Sequence, residues 1–92
     1  MWIDELTDNE REVLRAAECE GNYEAPFGFS YEIAIYNYAT IPATAARGAL
    51  ASLVKKGILD HDRFREDGAL WNYYSVPDKQ KIKELREYFG RD

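Results

Sequence analysis

The stretch from Thr40 to Val76 constrains this chain most. Pro42 disfavours helical geometry at Ile41 and suits the first position of a new helix. From there Ala46, Leu50, Leu53 and Val54 recur on one helical face, and Gly57 supplies a stop. Lys55 and Lys56 in the last turn complement the helix dipole. The spacing predicts a helix over 42–56. Ile58 to Arg65 and Leu70 to Val76 then read as two strands. Between them lies Glu66-Asp67-Gly68-Ala69, whose Asp-Gly pair signals a tight hairpin.

The flanks add helices. Thr7-Asp8-Asn9-Glu10 is a capping box, and Val13, Leu14 and Ala17 follow at helical spacing until Gly21, which predicts a helix over 8–20. Ser30 is a good N-cap for a short second helix over 31–38, with Ile33, Ala34 and Tyr36 to Tyr38 on its apolar side. Residues 21–29 between them read as an aromatic loop broken by two glycines and a proline. Pro77 and Asp78 open a last helix over 78–89 with an Ile82, Leu85, Phe89 stripe. With 92 residues, 46% of them apolar, and no repeat or linker, the expectation is a single domain over 1–92. The expected fold class is α+β and mainly α: three helices, a β-hairpin and a C-terminal helix.

Charge excludes some functions. Acids outnumber bases 17 to 12, so a generally basic, nucleic-acid-coating protein is ruled out. The imbalance is local: residues 1–40 hold nine acids and two bases, and residues 41–92 hold eight acids and ten bases. Such asymmetry hints that one face meets a polyanion. No apolar run approaches membrane-spanning length, and no signal peptide is visible. The one cysteine, Cys19, cannot make an internal disulfide, which fits a cytoplasmic setting. His61 lies between Asp60 and Asp62, and strand alternation points it away from both, so no metal site is expected. No glycine-rich phosphate loop or catalytic triad pattern is present, so the expectation is no cofactor and no enzyme.

The order helix, helix, short turn, helix, hairpin, helix resembles a winged helix-turn-helix domain of the small MarR or PadR type. The resemblance rests on Leu50, Leu53, Lys55, Lys56, Gly57, Ile58 and Leu59, with Asp67-Gly68 as wing tip and Tyr74-Ser75-Val76 as returning strand. It implies a transcription regulator that binds double-stranded DNA through helix 42–56 and wing 60–75. By helical spacing, the face opposite Leu50, Leu53 and Val54 carries Thr44, Arg47, Gly48, Ala51 and Lys55. The resemblance puts that face in the major groove. Arg47 would then meet a guanine edge or a phosphate, and Thr44 a phosphate or thymine methyl. Lys55, Lys56, Arg63 and Arg65 would contact phosphates. Trp71 and Tyr73 share one strand face opposite Tyr74 and read as core or interface aromatics.

Regulators of this type commonly act as twofold dimers. Trp2, Ile3, Leu85, Tyr88 and Phe89 supply apolar surface at the two ends for a homodimer seam, or for packing of one end on the other. Cys19 would cross-link subunits only in an oxidising compartment. A second reading is a winged-helix protein-interaction module without direct DNA binding. The small residues of the third helix and the acids Asp60, Asp62, Glu66 and Asp67 beside Arg63 and Arg65 favour it.

Overall fold

The computed structural model describes residues 1–21 and 30–89, with the side chains of Cys19, Glu20 and Ser30 outside the description. The expectations for the aromatic segment 22–29 and for the Cys19 thiol therefore lie outside the described residues. A 3-10 turn, Trp2–Glu5, precedes α1 (Asp8–Gly21). Then come β1 (Ser30–Tyr31), α2 (Glu32–Tyr38), α3 (Ala43–Lys55), β2 (Asp60–Glu66), β3 (Ala69–Ser75) and α4 (Lys79–Tyr88).

Local chemistry accounts for most boundaries. The capping box forms: the Glu10 amide donates to Thr7 Oγ1 at 3.1 Å, and the Thr7 amide donates to Glu10 Oε1 at 2.8 Å. Asp78 caps α4 by accepting from the amides of Gln80 and Lys81 at 2.9 and 3.2 Å. At the end of α3, Gly57 has φ +78°, and the amides of Gly57 and Ile58 donate to the carbonyls of Val54 and Leu53, each at 3.0 Å. This is a Schellman closure, with buried Ile58 packed in the same core as Leu53. It explains why β2 starts at Asp60 rather than at Ile58: the amides of Ile58 and Leu59 both turn back to Leu53. Asp67 and Gly68 have φ of 52° and 80°, as a two-residue type I′ hairpin requires.

Two elements depart from the expectation. The initial 3-10 turn, which buries Ile3, has no counterpart in the sequence reading. Ser30 is not the N-cap of α2. It pairs with Tyr74, and Tyr31 with Tyr73, so a third strand joins the sheet in the order β1-β3-β2. Tyr31 then precedes α2 in an extended conformation without a side-chain cap. Pairing with β3 takes the residue that local propensity assigned to capping.

The core lies between α1, α3 and the sheet. Val13, Leu14 and Ala16 of α1 meet Ile35 of α2 and Ala46, Leu50 and Leu53 of α3, with Leu59, Tyr74, Val76 and Leu85 closing it. Truncating one such leucine to alanine costs about 2–5 kcal/mol. The turn between α2 and α3 is held from outside. Glu12 Oε2 accepts from the Thr40 amide at 2.7 Å, while Arg15, paired with Glu12, donates to the Tyr38 carbonyl at 2.8 Å. The Arg15 hydrogen bond, against some desolvation and helped by Thr40, holds the Glu12 carboxyl down at about 2. The angle at which α3 leaves α2 is thus set by α1.

Candidate nucleic-acid interface

The alternation of α3 is clean. Ala46, Ala49, Leu50 and Leu53 are buried, whereas Thr44, Arg47, Gly48, Ala51 and Lys55 are exposed. The small residues on the outer face do not mark a close helix contact within the described chain. Above Gly48 the space is open, and a methyl group there would meet no atom within 4 Å. The N-terminus of α3 carries no side-chain cap, so its first amides are free of that competition. Lys55 and Lys56 differ. Lys55 is exposed, but Lys56 Nζ donates to Glu10 Oε1 and Oε2 at 3.0 and 2.8 Å.

The hairpin register decides how the wing presents its charges. Directly opposed residues on antiparallel strands share a face. His61 opposes Tyr74, Arg63 opposes Asn72, and Arg65 opposes Leu70. On the other face Asp60 opposes Ser75, Asp62 opposes Tyr73, Phe64 opposes Trp71, and Glu66 opposes Ala69. Bases and acids that alternate in the sequence are therefore sorted onto opposite faces. Asp62 is occupied on its own side, accepting from the Tyr73 hydroxyl at 3.2 Å and the Arg63 amide at 2.8 Å. Among the described residues neither Arg63 nor Arg65 forms an ion pair, and both are exposed.

The basic face is the one that packs on the helices. Tyr74 is buried in the core, and its hydroxyl donates to Glu32 Oε2 of α2 at 3.4 Å. Burial, with the Glu32 charge second, pushes the Tyr74 phenol up to about 12. His61 stacks on the Tyr74 ring at 4.7 Å, and its Nε2 is 3.0 Å from Asn72 Oδ1. Arg47 of α3 lies over the Tyr36 ring of α2, 6.0 Å from its centroid, close enough to the Tyr74 phenol to oppose its upward shift. Arg47 and His61 thus lie near the place where α2 meets the sheet, beside the Glu32 carboxylate, while Arg63 and Arg65 continue along the same sheet face toward the turn. The role of Tyr36 is not legible in a local pattern, because only the α2–α3 crossing brings it under Arg47.

The opposite face of the hairpin holds an aromatic cluster. Tyr31 meets Trp71 edge-on at 5.7 Å and Phe64 at 6.2 Å, and Phe64 meets Tyr73 at 5.6 Å. Trp71 and Tyr73 share this face, as strand parity predicts.

The two chain ends meet each other. Ile3 and Leu85 are core residues of this chain, so they are not surface positions of a seam. Trp2 Nε1 donates to Glu84 Oε1 at 2.8 Å, and Lys81 Nζ sits 5.1 Å from the Trp2 ring centroid. Phe89 is half-buried and edge-on to Tyr88, which is exposed. Of the five only Tyr88 is exposed, at 43%, the others being buried or half-buried where the 3-10 turn meets α4.

Among the described residues no group of three His, Cys, Asp or Glu could hold a metal ion, and no helix is long and apolar enough to cross a membrane. A helix-turn-helix whose third helix is exposed outward, followed by an antiparallel hairpin and a closing helix, defines a winged helix-turn-helix fold. No family model matches the chain, and no curated protein matches it. A solved structure does: a "possible transcriptional regulator" from Methanosarcina mazei Go1, with a TM-score of 0.63 and 16% identity. The similarity covers 97% of this chain and 71% of that one, and at this identity it establishes the shared fold.

Proposed function

We propose that this chain is a double-stranded-DNA-binding transcription regulator built on a single winged-helix domain. The observation that carries the reading is the sorting of the hairpin. Arg63 and Arg65 share the face that joins the helical layer, while Asp60, Asp62 and Glu66 are turned away. A net charge of −5 therefore coexists with a basic pair on one face of the wing and with Arg47 on α3, the Glu32 carboxylate standing near the Tyr74 hydroxyl on that side. Arg63, Arg65 and Lys55 contact phosphates, and the uncapped N-terminus of α3 offers amides to another. Arg47 and Thr44 enter the major groove. Lys56 contributes less than its position suggests, since Glu10 already holds it.

The finer family reading is MarR-like or PadR-like, acting in the cytoplasm as a homodimer on a twofold site, without catalysis. Its dimer seam, if built from the chain ends, uses Tyr88 and the outer edges of Trp2 and Phe89. Fluorescence anisotropy with a random duplex of roughly 30 base pairs, at about 50 and 200 mM salt, tests the DNA reading. Micromolar binding that weakens steeply with salt, and drops in Arg63→Ala/Arg65→Ala, supports it. Absence of binding at low salt refutes it.

One observation favours a protein partner instead. Ile33, Leu70 and Trp71 are 60%, 49% and 37% exposed and line one small notch beside the wing. Exposed apolar side chains in one place are costly unless something covers them. A duplex that fails to bind moves the reading to this surface.

A further inference from the structure

We propose that Arg47 reads one guanine per protomer and that Tyr36 is the residue that positions it, a reading that rests on the DNA-binding function proposed above. The outer face of α3 offers Thr44, Arg47, Gly48, Ala51 and Lys55. Only Arg47 has the planar fork that matches the O6 and N7 acceptors of guanine. Lys55 is a point charge in the last turn of the helix, suited to a phosphate. Gly48 and Ala51 have no donor, so they admit the DNA surface close to the helix without reading it.

An unsupported arginine on an exposed helix samples many rotamers, and ordering it on contact with a base weakens recognition. Here the guanidinium lies over the Tyr36 ring at 6.0 Å, a cation–π distance. The platform is half-buried against the core. The Tyr36 hydroxyl is buried between Arg47 and Glu32 without a hydrogen bond of regular geometry to either, and the neighbouring Ile35 is a core residue. Tyr36 thus meets Arg47 at the edge of its ring, and the same guanidinium lies near enough to the phenol to oppose the upward push of burial. The contact spans α2 and α3, whose relative placement is clamped by Glu12 and Arg15. Arg47 is therefore pre-oriented by groups that never touch DNA.

The test is selection from a randomised duplex pool with the wild type, Arg47→Lys, Tyr36→Leu and Tyr36→Phe, with pool affinity and thermal melting measured alongside. The wild type is expected to select one invariant guanine per half-site. Arg47→Lys keeps the charge but loses most of that preference, a loss of roughly 5- to 150-fold that exceeds any fall in pool affinity. Tyr36→Leu weakens the preference about 2- to 5-fold, and Tyr36→Phe restores it. A guanine preference that survives Arg47→Lys overturns the assignment of Arg47. Equal preference in Tyr36→Leu and Tyr36→Phe, both folded by melting, overturns the positioning role. If Tyr36→Leu fails to melt cooperatively, Tyr36→Met takes its place under the same criterion. A wild type that does not bind the pool at low salt overturns the DNA-binding function itself, which is a different outcome from either.

Discussion

Lys56 at the end of α3 reaches back to Glu10 at the start of α1, its ammonium 3.0 and 2.8 Å from the two oxygens of a carboxylate only 2% exposed. The Ser52 hydroxyl donates to the same carboxylate at 2.6 Å, and the Thr7 amide completes its shell. Removing one partner of such a pair leaves a buried charge unmatched. Lys56→Met is therefore expected to cost about 1–2 kcal/mol by urea denaturation, less than for a fully buried pair because Lys56 is 44% exposed and water screens it. Adding Glu10→Gln to Lys56→Met should return much of that loss. Equal destabilisation by the double variant and by the sum of the single ones would show that the two groups are not coupled.

The same pair shapes the response to acid. Burial pushes the Glu10 carboxyl up, but Lys56, Ser52 and the Thr7 amide outweigh it and hold it down at about 2. Glu12 is held at about 2 as well, chiefly by Arg15. In the unfolded chain both titrate near the ordinary value of about 4.3. A folded value below the unfolded one means that the unfolded state takes up protons first as pH falls. The stability that these two carboxylates supply is complete above about pH 5 and is lost progressively toward pH 2. Urea midpoints measured from pH 6 to about 2 should fall through that window, and Glu12→Gln should flatten part of the fall. A flat profile would contradict both assignments.

Most of the fold is legible in the sequence, and the reasons are local. Thr7 and Glu10 announce a helix start within four residues, Asp67-Gly68 announces a hairpin, and Gly57 announces a helix end. The misread elements depend on partners far along the chain. Ser30 becomes a strand residue only because Tyr74 lies beside it. Ile3 enters the core only because the 3-10 turn packs on α4, with Trp2 bonded to Glu84. The candidate site divides in the same way. Strand parity puts Arg63 and Arg65 together in the sequence, and helical spacing turns Arg47 outward. The commitment of Lys56 to Glu10, and of Tyr36 to Arg47, spans elements and leaves no periodic trace.

Sorting of the hairpin makes a face-specific prediction for duplex binding. Arg63→Ala/Arg65→Ala removes two charges from the basic face and should reduce the slope of log affinity against log salt by about 2 for each chain bound. Asp62→Asn removes a charge of the other sign only one residue away from Arg63, but on the opposite face. It should change duplex affinity by less than about two-fold, since face, rather than distance along the chain, decides what reaches a phosphate. Anisotropy titrations at several salt concentrations read both. Equal and opposite effects from the two variants would show that the duplex does not distinguish the faces.

Gly48 separates stability from binding. It lies within α3, faces outward, and has nothing within 4 Å of where a Cβ would stand. Gly48→Ala should therefore stabilise the chain by about 0.5–1 kcal/mol through helix propensity alone. Gly48→Leu has open space at its Cβ, and its longer side chain extends along the open groove that Gly48 shares with Thr7, Asn9 and Glu10, so it should melt within a few degrees of the wild type. A duplex laid against α3 would meet that leucine, and affinity should fall about tenfold or more, the scale on which one misfitted contact is felt. Thermal melting and anisotropy on the same two variants read the two effects separately. Gly48→Leu that binds a duplex as the wild type does would place α3 away from DNA, and would leave the wing alone to make the contact.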